Sequence, residues 1–452
     1  MNPNNVPQVL LTALKPALIL GSAQKLHVLA RVQSPDPDPA IVSVRRPYHL
    51  ALVIDRSGSM SGAPLAEALR CARHIVDRLD SGDHAALIDF DSRVRTLVPA
   101  VPVGDRKALH TALARIHAGG TTDLCGGWQA GSAALLPGAA EAALARVILL
   151  SDGNANTGEI TDPPAIAALC AQAVAAGVST STYGLGRDFN EELMVAMARQ
   201  GQGNHYYGDT AADLFEPFAE EFDLISSLHS RQVTLSLDAP AGVKITPRND
   251  YPVEMRDGFP SVRLPDIPWG AEAWALFELE IPAGLALESV HAILQAEVSG
   301  VTPDGEPIAY PEASLSLGAV SAPAWDVLLA DPLVAERQAE LAAARLLDEA
   351  RTAGEAGDWA TIERLLVEAH GRFGGFPWVA EVLAGMAEIA RERDMARFRK
   401  EAFYSSRKMN SRLSAKHEET ELSCESTKPA FLRRKKAQGK AQFDEPPSGS
   451  AP

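Results

Sequence analysis

The spacing of hydrophobic and polar positions changes along the chain and divides it into segments. Residues 47–226 alternate short runs of aliphatic and β-branched side chains with longer stretches in which apolar positions recur every three to four residues. The first pattern is typical of buried strands and the second of amphipathic helices. Because strands and helices alternate almost throughout, we predict a doubly wound α/β domain over residues 47–226.

The segments on both sides of this domain carry the two-residue period of half-buried strands. Apolar residues alternate with others along 26–32, and again along 233–237 and 290–298, between turns rich in proline and glycine. This pattern predicts short antiparallel strands. Since one or two strands are not stable alone, we expect residues 8–46 to join residues 229–320 in one small antiparallel β-sandwich. The α/β domain is then inserted into that sandwich.

The C-terminal part changes to a helical period and then loses its apolar positions. Residues 323–402 repeat apolar side chains at spacings of three and four, with a glycine-bearing break at 354–357 and Asp358 in position to cap the next helix. We predict an antiparallel helical hairpin or bundle of two or three helices. Residues 403–452 are rich in Ser, Lys, Glu, Gln and Pro, so we expect a disordered basic tail.

Oxygen-bearing side chains follow the first strand of the α/β domain at a fixed spacing. After the apolar run that ends at Ile54, the sequence reads Asp55-Arg56-Ser57-Gly58-Ser59-Met60. Asp55, Ser57 and Ser59 alternate, so on a tight loop that Gly58 permits, their oxygens converge while the intervening side chains turn away. One carboxylate and two hydroxyls suit a hard cation such as Mg²⁺, Mn²⁺ or Ca²⁺. The carboxyl end of a central strand is also where open α/β sheets bind ligands.

The Asp-x-Ser-x-Ser spacing resembles the metal-ion-dependent adhesion site of von Willebrand factor type A domains. Two further pieces that this family requires follow in the expected order: Gly119–Leu124 resembles its threonine loop, and Val147–Gly153 resembles its strand that ends in Asp-Gly. Alone, an Asp-x-Ser-x-Ser loop fits a helix N-cap equally well. Three such loops in order, each at a strand terminus, favour metal ligation.

The resemblance implies five metal ligands, Asp55, Ser57, Ser59, Thr122 and Asp152, and Mg²⁺ as the ion, with Mn²⁺ or Ca²⁺ as alternatives. The threonine is the least certain ligand, because Thr121 stands beside Thr122. In the family, the threonine precedes a small residue by five positions, and an apolar residue that opens a helix follows. This spacing favours Thr122, which is followed by Gly127 and Trp128.

The resemblance also implies a function. In an adhesion-type site, an open coordination position on the metal captures an Asp or Glu carboxylate of a partner protein, so we expect a metal-gated docking module. The inserted arrangement resembles bacterial relatives of the inter-alpha-trypsin inhibitor heavy chain and calcium-activated chloride channel type. Which partner or pathway is served does not follow from the sequence.

A Mg²⁺-dependent hydrolase or phosphatase is the alternative function, because metal-activated water is a good nucleophile. Three features argue against it: no second carboxylate lies two residues from Asp55, and the chain lacks both a Gly-x-x-x-x-Gly-Lys phosphate loop and a Gly-x-Ser-x-Gly elbow. We therefore predict a binding protein and not an enzyme. A scaffold with a degenerate metal site is disfavoured, because no ligand position is missing.

Charge bears on the choice of partner. The formal net charge of the chain is −16, yet residues 391–440 carry 15 Lys and Arg against 7 Asp and Glu. An acidic body argues against nucleic-acid binding by the globular part. The basic tail could recruit an acidic partner, although a run such as Arg433–Lys436 is more often a solvated charge run.

Cysteine usage and hydropathy bear on the compartment. The four cysteines show no metal-type spacing, and Cys71 and Cys170 fall on predicted helices as core residues. Residues 1–7 lack the pattern of a signal peptide, and no run approaches the ~20 apolar residues that cross a bilayer. We expect a cytoplasmic protein without a membrane span.

Overall fold

The computed structural model describes residues 6–37, 47–139, 144–185, 190–208, 219–225 and 227–415, which fall into two compact units. The first, called the inserted unit, comprises the described residues from Pro47 to Phe222. The second, called the flanking unit, comprises those before Pro47 and from Asp223 onward. The chain therefore leaves the flanking unit, completes the inserted unit and returns.

The chain begins in the flanking unit with three strands, β1 (Gln8–Ala13), β2 (Leu18–Ile19) and β3 (Gln24–Gln33). The strands of the inserted unit follow: β4 (Tyr48–Asp55), β5 (His84–Phe90), β6 (Val94–Pro102), β7 (Leu144–Ser151), β8 (Val178–Leu185) and β9 (Gln202–Gly208). Its helices are α1 (Ala63–Arg78), α2 (Lys107–Leu113), α3 (Leu124–Leu135), α4 (Pro163–Ala175) and α5 (Glu191–Gln200), and residues 219–225 are also helical.

The inserted unit is built on a six-stranded sheet with the order β6-β5-β4-β7-β8-β9. All neighbours are parallel except β6, which runs antiparallel to β5 at the edge. Every residue of β4 is buried, which explains why Leu50–Ile54 in this strand is a continuous apolar run. The chain passes from β4 to β5 on one side and later to β7 on the other, so the strand order reverses beside β4. The predicted doubly wound α/β fold is confirmed.

Helix α3 packs closely against the sheet and so fixes the position of the loop that precedes it. A Cβ atom on Gly131 would lie 2.5 Å from Val53 Cγ2, so a larger residue would push the helix outward. The first turn of α3 is capped by Asp123, whose Oδ1 accepts a hydrogen bond from Gly126 N at 2.9 Å. Both features hold the residues directly before α3, including Thr122, against the sheet edge.

The flanking unit resumes with nine strands: β10 (Leu228–Asp238), β11 (Lys244–Pro247), β12 (Val253–Arg256), β13 (Phe259–Arg263), β14 (Ile267–Pro268), β15 (Ala271–Ile281), β16 (His291–Val301), β17 (Ala313–Leu317) and β18 (Ala319–Val320). Its helices are α6 (Ala322–Asp326), α7 (Pro332–Glu355), α8 (Trp359–Phe373), α9 (Pro377–Glu392) and α10 (Met395–Ser411). A last short strand is β19 (Ser414–Ala415).

The N-terminal strands find their partners beyond the inserted unit, as the sequence predicts. Strand β3 pairs with β15 along ten residues, from Gln24 opposite Ile281 to Gln33 opposite Glu272. One sheet has the order β1-β3-β15-β11 and the other the order β12-β13-β10-β16-β17, and apolar side chains from both form one core. The predicted insertion of the α/β domain into an antiparallel β-sandwich is therefore confirmed.

The C-terminal helices are more numerous than the two or three predicted. Four helices, α7 to α10, follow α6, because the chain also breaks at residues 374–376 and at Arg393, which has a positive φ of 58°. Asp358 caps α8 as expected, with Thr361 N donating to its carboxylate at 3.0 Å. The predicted apolar faces of α8 and α9 are buried in a common core.

The predicted disordered tail begins too early. Helix α10 continues to Ser411, and β19 pairs antiparallel with Ala271–Glu272 of β15. Phe403 and Met409 are buried, so a few apolar residues order a segment whose overall composition is polar. The rest of the predicted tail, residues 416–452 with the basic run and Cys424, lies outside the described residues.

The three cysteines in the described part of the chain, Cys71, Cys125 and Cys170, are free and buried. Burial raises the pKa of the Cys125 thiol to about 11, so it remains protonated at neutral pH. These residues therefore pack as small core side chains, as expected for Cys71 and Cys170. In the same described ranges, the helices are all too short or too polar to cross a bilayer.

Candidate metal centre

The loop after β4 turns back on itself and brings its polar side chains to the strand end. Ser57 N donates a hydrogen bond to Asp55 Oδ1 at 2.8 Å, and the hydroxyls of Ser57 and Ser59 share a hydrogen bond of 3.1 Å. Asp55 and Ser57 are buried, whereas Ser59 is exposed. Hydrogen bonds thus connect Asp55 at the buried strand end to Ser57, and Ser57 to Ser59 at the surface.

The helix-capping alternative for this loop is wrong. A single 3₁₀ turn, Gly58–Met60, follows Ser57, and the Ser57 side chain makes no capping hydrogen bond to the backbone of this turn. Helix α1 begins after Gly62, which has no side chain to offer. The side-chain oxygens of the loop are therefore not consumed by capping, and they remain available to a ligand.

Strand β7 supplies the second partner of Asp55. Ser151, the last residue of β7, donates its hydroxyl hydrogen to Asp55 Oδ2 at 2.6 Å and accepts a hydrogen bond from Gly153 N at 2.8 Å. Each oxygen of the Asp55 carboxylate therefore accepts one hydrogen bond. Asp152 follows directly, and its Oδ1 accepts a hydrogen bond from Asn154 N at 3.2 Å. The second predicted carboxylate thus lies on the neighbouring strand end.

The Asp55 carboxylate is buried, and burial disfavours its charged form. Burial raises the pKa of Asp55 to about 6, the negative charge of Asp152 adds to this rise, and the hydrogen bonds from Ser151 and Ser57 oppose it. The neighbouring guanidinium of Arg56 pairs with Asp89 and Asp91 instead. In the described chain, no lysine or arginine forms an ion pair with Asp55. A cation bound here would relieve the cost of this buried charge.

Backbone hydrogen bonds join the threonine loop, Gly119–Leu124, to the loop after β4. Gly119 N donates to Arg56 O at 2.8 Å, and Gly58 N donates to Gly120 O at 3.0 Å. The two loops therefore run side by side, although more than 50 residues separate them in sequence. This is the juxtaposition that the resemblance to an adhesion-type site requires.

The loop after Asp152 holds the threonine loop from its other side. Thr122 N donates to Asn156 Oδ1 at 2.9 Å, and the backbone N–H groups of Asn156 and Thr157 donate to Thr122 O at 3.2 and 3.1 Å. The hydroxyl of Thr157 donates to that of Thr121 at 3.2 Å. Thr122 is buried and Thr121 is exposed. The choice of Thr122 as the ligand stays a prediction.

The donor set fits a hard divalent cation. All five predicted ligands bind through oxygen, and only Asp55 and Asp152 carry charge. Among the described residues, no group of three or more His, Cys, Asp or Glu side chains could hold a metal. A site with two carboxylates and three hydroxyls would therefore select a cation that prefers oxygen, such as Mg²⁺, over one that prefers nitrogen or sulfur.

Some residues of the centre were not identified from the sequence. Ser151 and Asn156 contact predicted ligands directly. Arg56 and Asp91 form an ion pair, and their backbone oxygens accept hydrogen bonds from the threonine loop. Ser151 had a detectable signal, because it is the one polar residue at the end of an apolar strand. Asn156 had none, since its role depends on how the loop after Asp152 folds back.

Comparison with known proteins bears on the type of domain that carries these loops. The family model of the von Willebrand factor type A domain matches residues 49–220. An uncharacterized protein of Synechocystis sp. is 26% identical, covering 61% of this chain and 66% of its own length. An uncharacterized protein of Escherichia coli, YfbK, is 27% identical, covering 49% and 37%. Inter-alpha-trypsin inhibitor heavy chain H3 of Mus musculus is 28% identical, covering 46% and 24%. The chain thus spans less than two thirds of each relative.

Two solved structures share the fold over most of the chain. A von Willebrand factor type A protein from Catenulispora acidiphila superposes with a TM-score of 0.66 at 17% identity, covering 84% of this chain and 91% of that one. The ArnB paralog VWA2 from Sulfolobus acidocaldarius gives 0.56 at 18% identity, covering 89% and 99%. At such identity the likeness concerns the fold alone. Taken with the family match, it shows that residues 49–220 form a von Willebrand factor type A domain.

Proposed function

We propose that this chain docks a protein partner through a divalent cation held at the candidate metal centre. The von Willebrand factor type A domain, which residues 49–220 match, is generally a protein-interaction module, and this match supports a binding function. The proposal adds that the cation is required and that it captures an Asp or Glu side chain of the partner. The observation that carries it is the buried Asp55 carboxylate, which has hydrogen-bond donors but no positively charged partner.

Five side chains would hold the ion: Asp55, Ser57, Ser59, Thr122 and Asp152. Mg²⁺ is the preferred ion, with Mn²⁺ or Ca²⁺ as alternatives. When bound, the ion supplies an electrophilic position that accepts a carboxylate oxygen. Three of the five donors are neutral hydroxyls, which do not neutralise the charge of the ion. The bound ion would therefore still attract a carboxylate.

The burial pattern supports access from one side. Asp55, Ser57 and Thr122 are buried, whereas Ser59 and Thr121 are exposed. The charged floor of the centre is thus shielded from water, and its outer rim is open. We propose that the side chain of a partner approaches from the side on which Ser59 and Thr121 are exposed.

The nature of the partner and the location of the protein are parts of the proposal. We propose a protein that presents an acidic side chain, and we expect neither nucleic acid as the ligand nor a membrane span. The predicted cytoplasmic location fits three buried, free cysteines in the described chain. The basic segment near the C-terminus is proposed to contact an acidic partner.

Carboxylate capture is tested with Mn²⁺ as the probe ion. Water-proton relaxation of the Mn²⁺-loaded chain reports how many water molecules the ion binds. We expect acetate to lower the relaxation rate, because its carboxylate replaces a bound water, and we expect acetamide, which has a similar size and no charge, to leave it unchanged. Bound Mn²⁺ that responds to neither compound would contradict the capture mechanism.

The hydrolase alternative requires a separate assay. Generic phosphate and carboxylic esters are offered to the Mg²⁺-loaded chain and to its Asp152→Ala variant. We expect no turnover by either protein. Turnover by the wild-type chain that disappears in the variant would replace the docking proposal with a metal-dependent hydrolase.

A further inference from the structure

Two arginines and two aspartates, Arg56, Asp89, Asp91 and Arg95, form a charged cluster beside the candidate metal centre. None of them belongs to the predicted ligand set. We propose that Arg56 is a positioning residue that holds the threonine loop in the place required for metal binding. This inference rests on the proposed function, because it concerns the same metal centre.

The Arg56 side chain reaches two separate segments. Its Nη2 lies 2.7 Å from Asp91 Oδ2, and its Nη1 donates to His117 O at 3.2 Å. Its Nε lies 3.5 Å from Asp89 Oδ2. The side chain is only 13% exposed, so these interactions form in a shielded environment. One guanidinium therefore links the end of β5 to the segment that leads into the threonine loop.

Asp91 transmits this contact to the threonine loop. Its backbone oxygen accepts a hydrogen bond from Asp123 N at 2.8 Å, directly after Thr122. Gly120 has a φ of +70°, and a Cβ atom there would lie 2.8 Å from the Asp91 carboxyl group. The loop therefore rests on Asp91 at two points. Because Arg56 fixes the Asp91 carboxylate, it also fixes the surface on which the loop lies.

Arg95 provides a matched control within the same cluster. It contacts Asp89 through two hydrogen bonds, one of them from Nε to Oδ1 at 2.7 Å. Its side chain is 45% exposed, and its described ion pair is with Asp89. Removing Arg95 therefore removes a positive charge from the cluster without removing a contact to Asp91 or His117. In the described ion pairs, Asp91 is held by Arg56.

A positioning role and simple electrostatics predict opposite changes in metal affinity when Arg56 is replaced. Removing a positive charge near a cation site strengthens cation binding through Coulomb's law. Removing a residue that positions a ligand loop weakens it, because the loop must be ordered when the ion binds. A purely structural role would change stability and leave the metal affinity of the folded protein unchanged. The direction of the change in affinity separates these three cases.

The test compares Mn²⁺ affinity, measured by electron paramagnetic resonance of free Mn²⁺, in wild type, Arg56→Gln, Arg56→Lys and Arg95→Gln. Thermal unfolding of the metal-free proteins is measured in parallel. We expect Arg56→Gln to weaken Mn²⁺ binding at least tenfold. Arg56→Lys should recover part of the loss, because a lysine can pair with Asp91 but lacks the second arm to His117 O. Arg95→Gln should stay within twofold of wild type.

An unchanged or tighter Mn²⁺ affinity in Arg56→Gln, with wild type binding normally, would overturn the positioning role alone. An equal loss in Arg95→Gln would also overturn it, because the effect would then belong to the cluster as a whole and not to the contacts of Arg56 with Asp91 and His117. If Arg56→Gln does not fold, a wild-type affinity in Arg56→Lys overturns the role, and a partial loss supports it. Failure of the wild-type chain to bind Mn²⁺ would instead refute the proposed function and this inference with it.

Discussion

Glu221 and Asp55 are both buried carboxylates of the inserted unit, but their surroundings differ. Glu221 is fully buried and pairs with Arg146, which is 1% exposed. It also accepts hydrogen bonds from the side chains of Ser181, Asn204 and Tyr206. Burial alone would raise the pKa of Glu221, but the charge of Arg146 and the hydrogen bonds outweigh it, so the pKa lies below its ordinary value.

Asp55 is equally inaccessible and has fewer partners. It accepts hydrogen bonds from Ser57 N and from the Ser151 hydroxyl, and the negative charge of Asp152 raises its pKa further. Its pKa is raised to about 6. The comparison shows that the two buried negative charges are neutralised in different ways. Glu221 is neutralised by the protein itself, whereas Asp55 leaves a deficit of positive charge that a bound cation would fill.

The largest expected effect concerns Glu221. Replacing Glu221 with Gln should lower the free energy of unfolding at pH 7 by about 3–5 kcal/mol, because it leaves the Arg146 charge buried and unpaired. Since the pKa of Glu221 is lower in the folded than in the unfolded state, its stabilisation is complete above pH 4.5 and declines as the pH falls further. Denaturant titrations of both proteins at several pH values measure this difference. Curves that coincide at neutral pH would contradict the role given to Glu221.

The substitution Asp55→Asn should stabilise the metal-free protein, whereas Glu221→Gln should destabilise it. The amide keeps the shape of the carboxylate but removes its buried charge, so we expect an increase in the free energy of unfolding of about 1–3 kcal/mol at pH 7. The same variant should lose Mn²⁺ binding. Unfolding is followed in the presence of EDTA, with wild type as the control. A destabilised Asp55→Asn protein would mean that this carboxylate is structural, like Glu221.

The smallest effect distinguishes two adjacent threonines. Thr122→Ala should weaken Mn²⁺ binding about tenfold, or by about 1.4 kcal/mol, because it removes a predicted ligand. Thr121→Ala removes an exposed hydroxyl of the same loop and should change the affinity less than about twofold on the same scale. Isothermal titration with both variants settles the order. A larger loss from Thr121→Ala would assign the ligand to Thr121.

The sequence was most informative where a residue and its neighbours along the chain determine the structure. The apolar run before Asp55 predicted a central strand, and the change of period near residue 230 predicted the sandwich into which the type A domain is inserted. The alternation of Asp55, Ser57 and Ser59 predicted that these side chains converge. The Asp55 carboxylate accepts a hydrogen bond from the Ser57 backbone, and the hydroxyls of Ser57 and Ser59 share another.

Contacts between segments that are distant along the chain could not be predicted in this way. The Arg56–Asp91 pair exists because β4 and β5 lie side by side and end with Asp55 opposite Phe90, and neither residue differs in type from an ordinary surface charge. The extension of order to residue 415 depends on β19 pairing with β15, a partner about 140 residues earlier in sequence. Tertiary partners of this kind decide both the shape of the centre and the extent of the fold.

The most direct test of the account is a count of metal ions per chain. Mn²⁺ titration of the EDTA-treated wild-type chain, followed by electron paramagnetic resonance, should give one bound ion, and the Asp152→Ala variant should give none while its circular dichroism spectrum stays unchanged. Wild-type protein that binds no ion at millimolar Mn²⁺, or an Asp152→Ala variant that binds it equally well, would contradict a metal centre built from these loops.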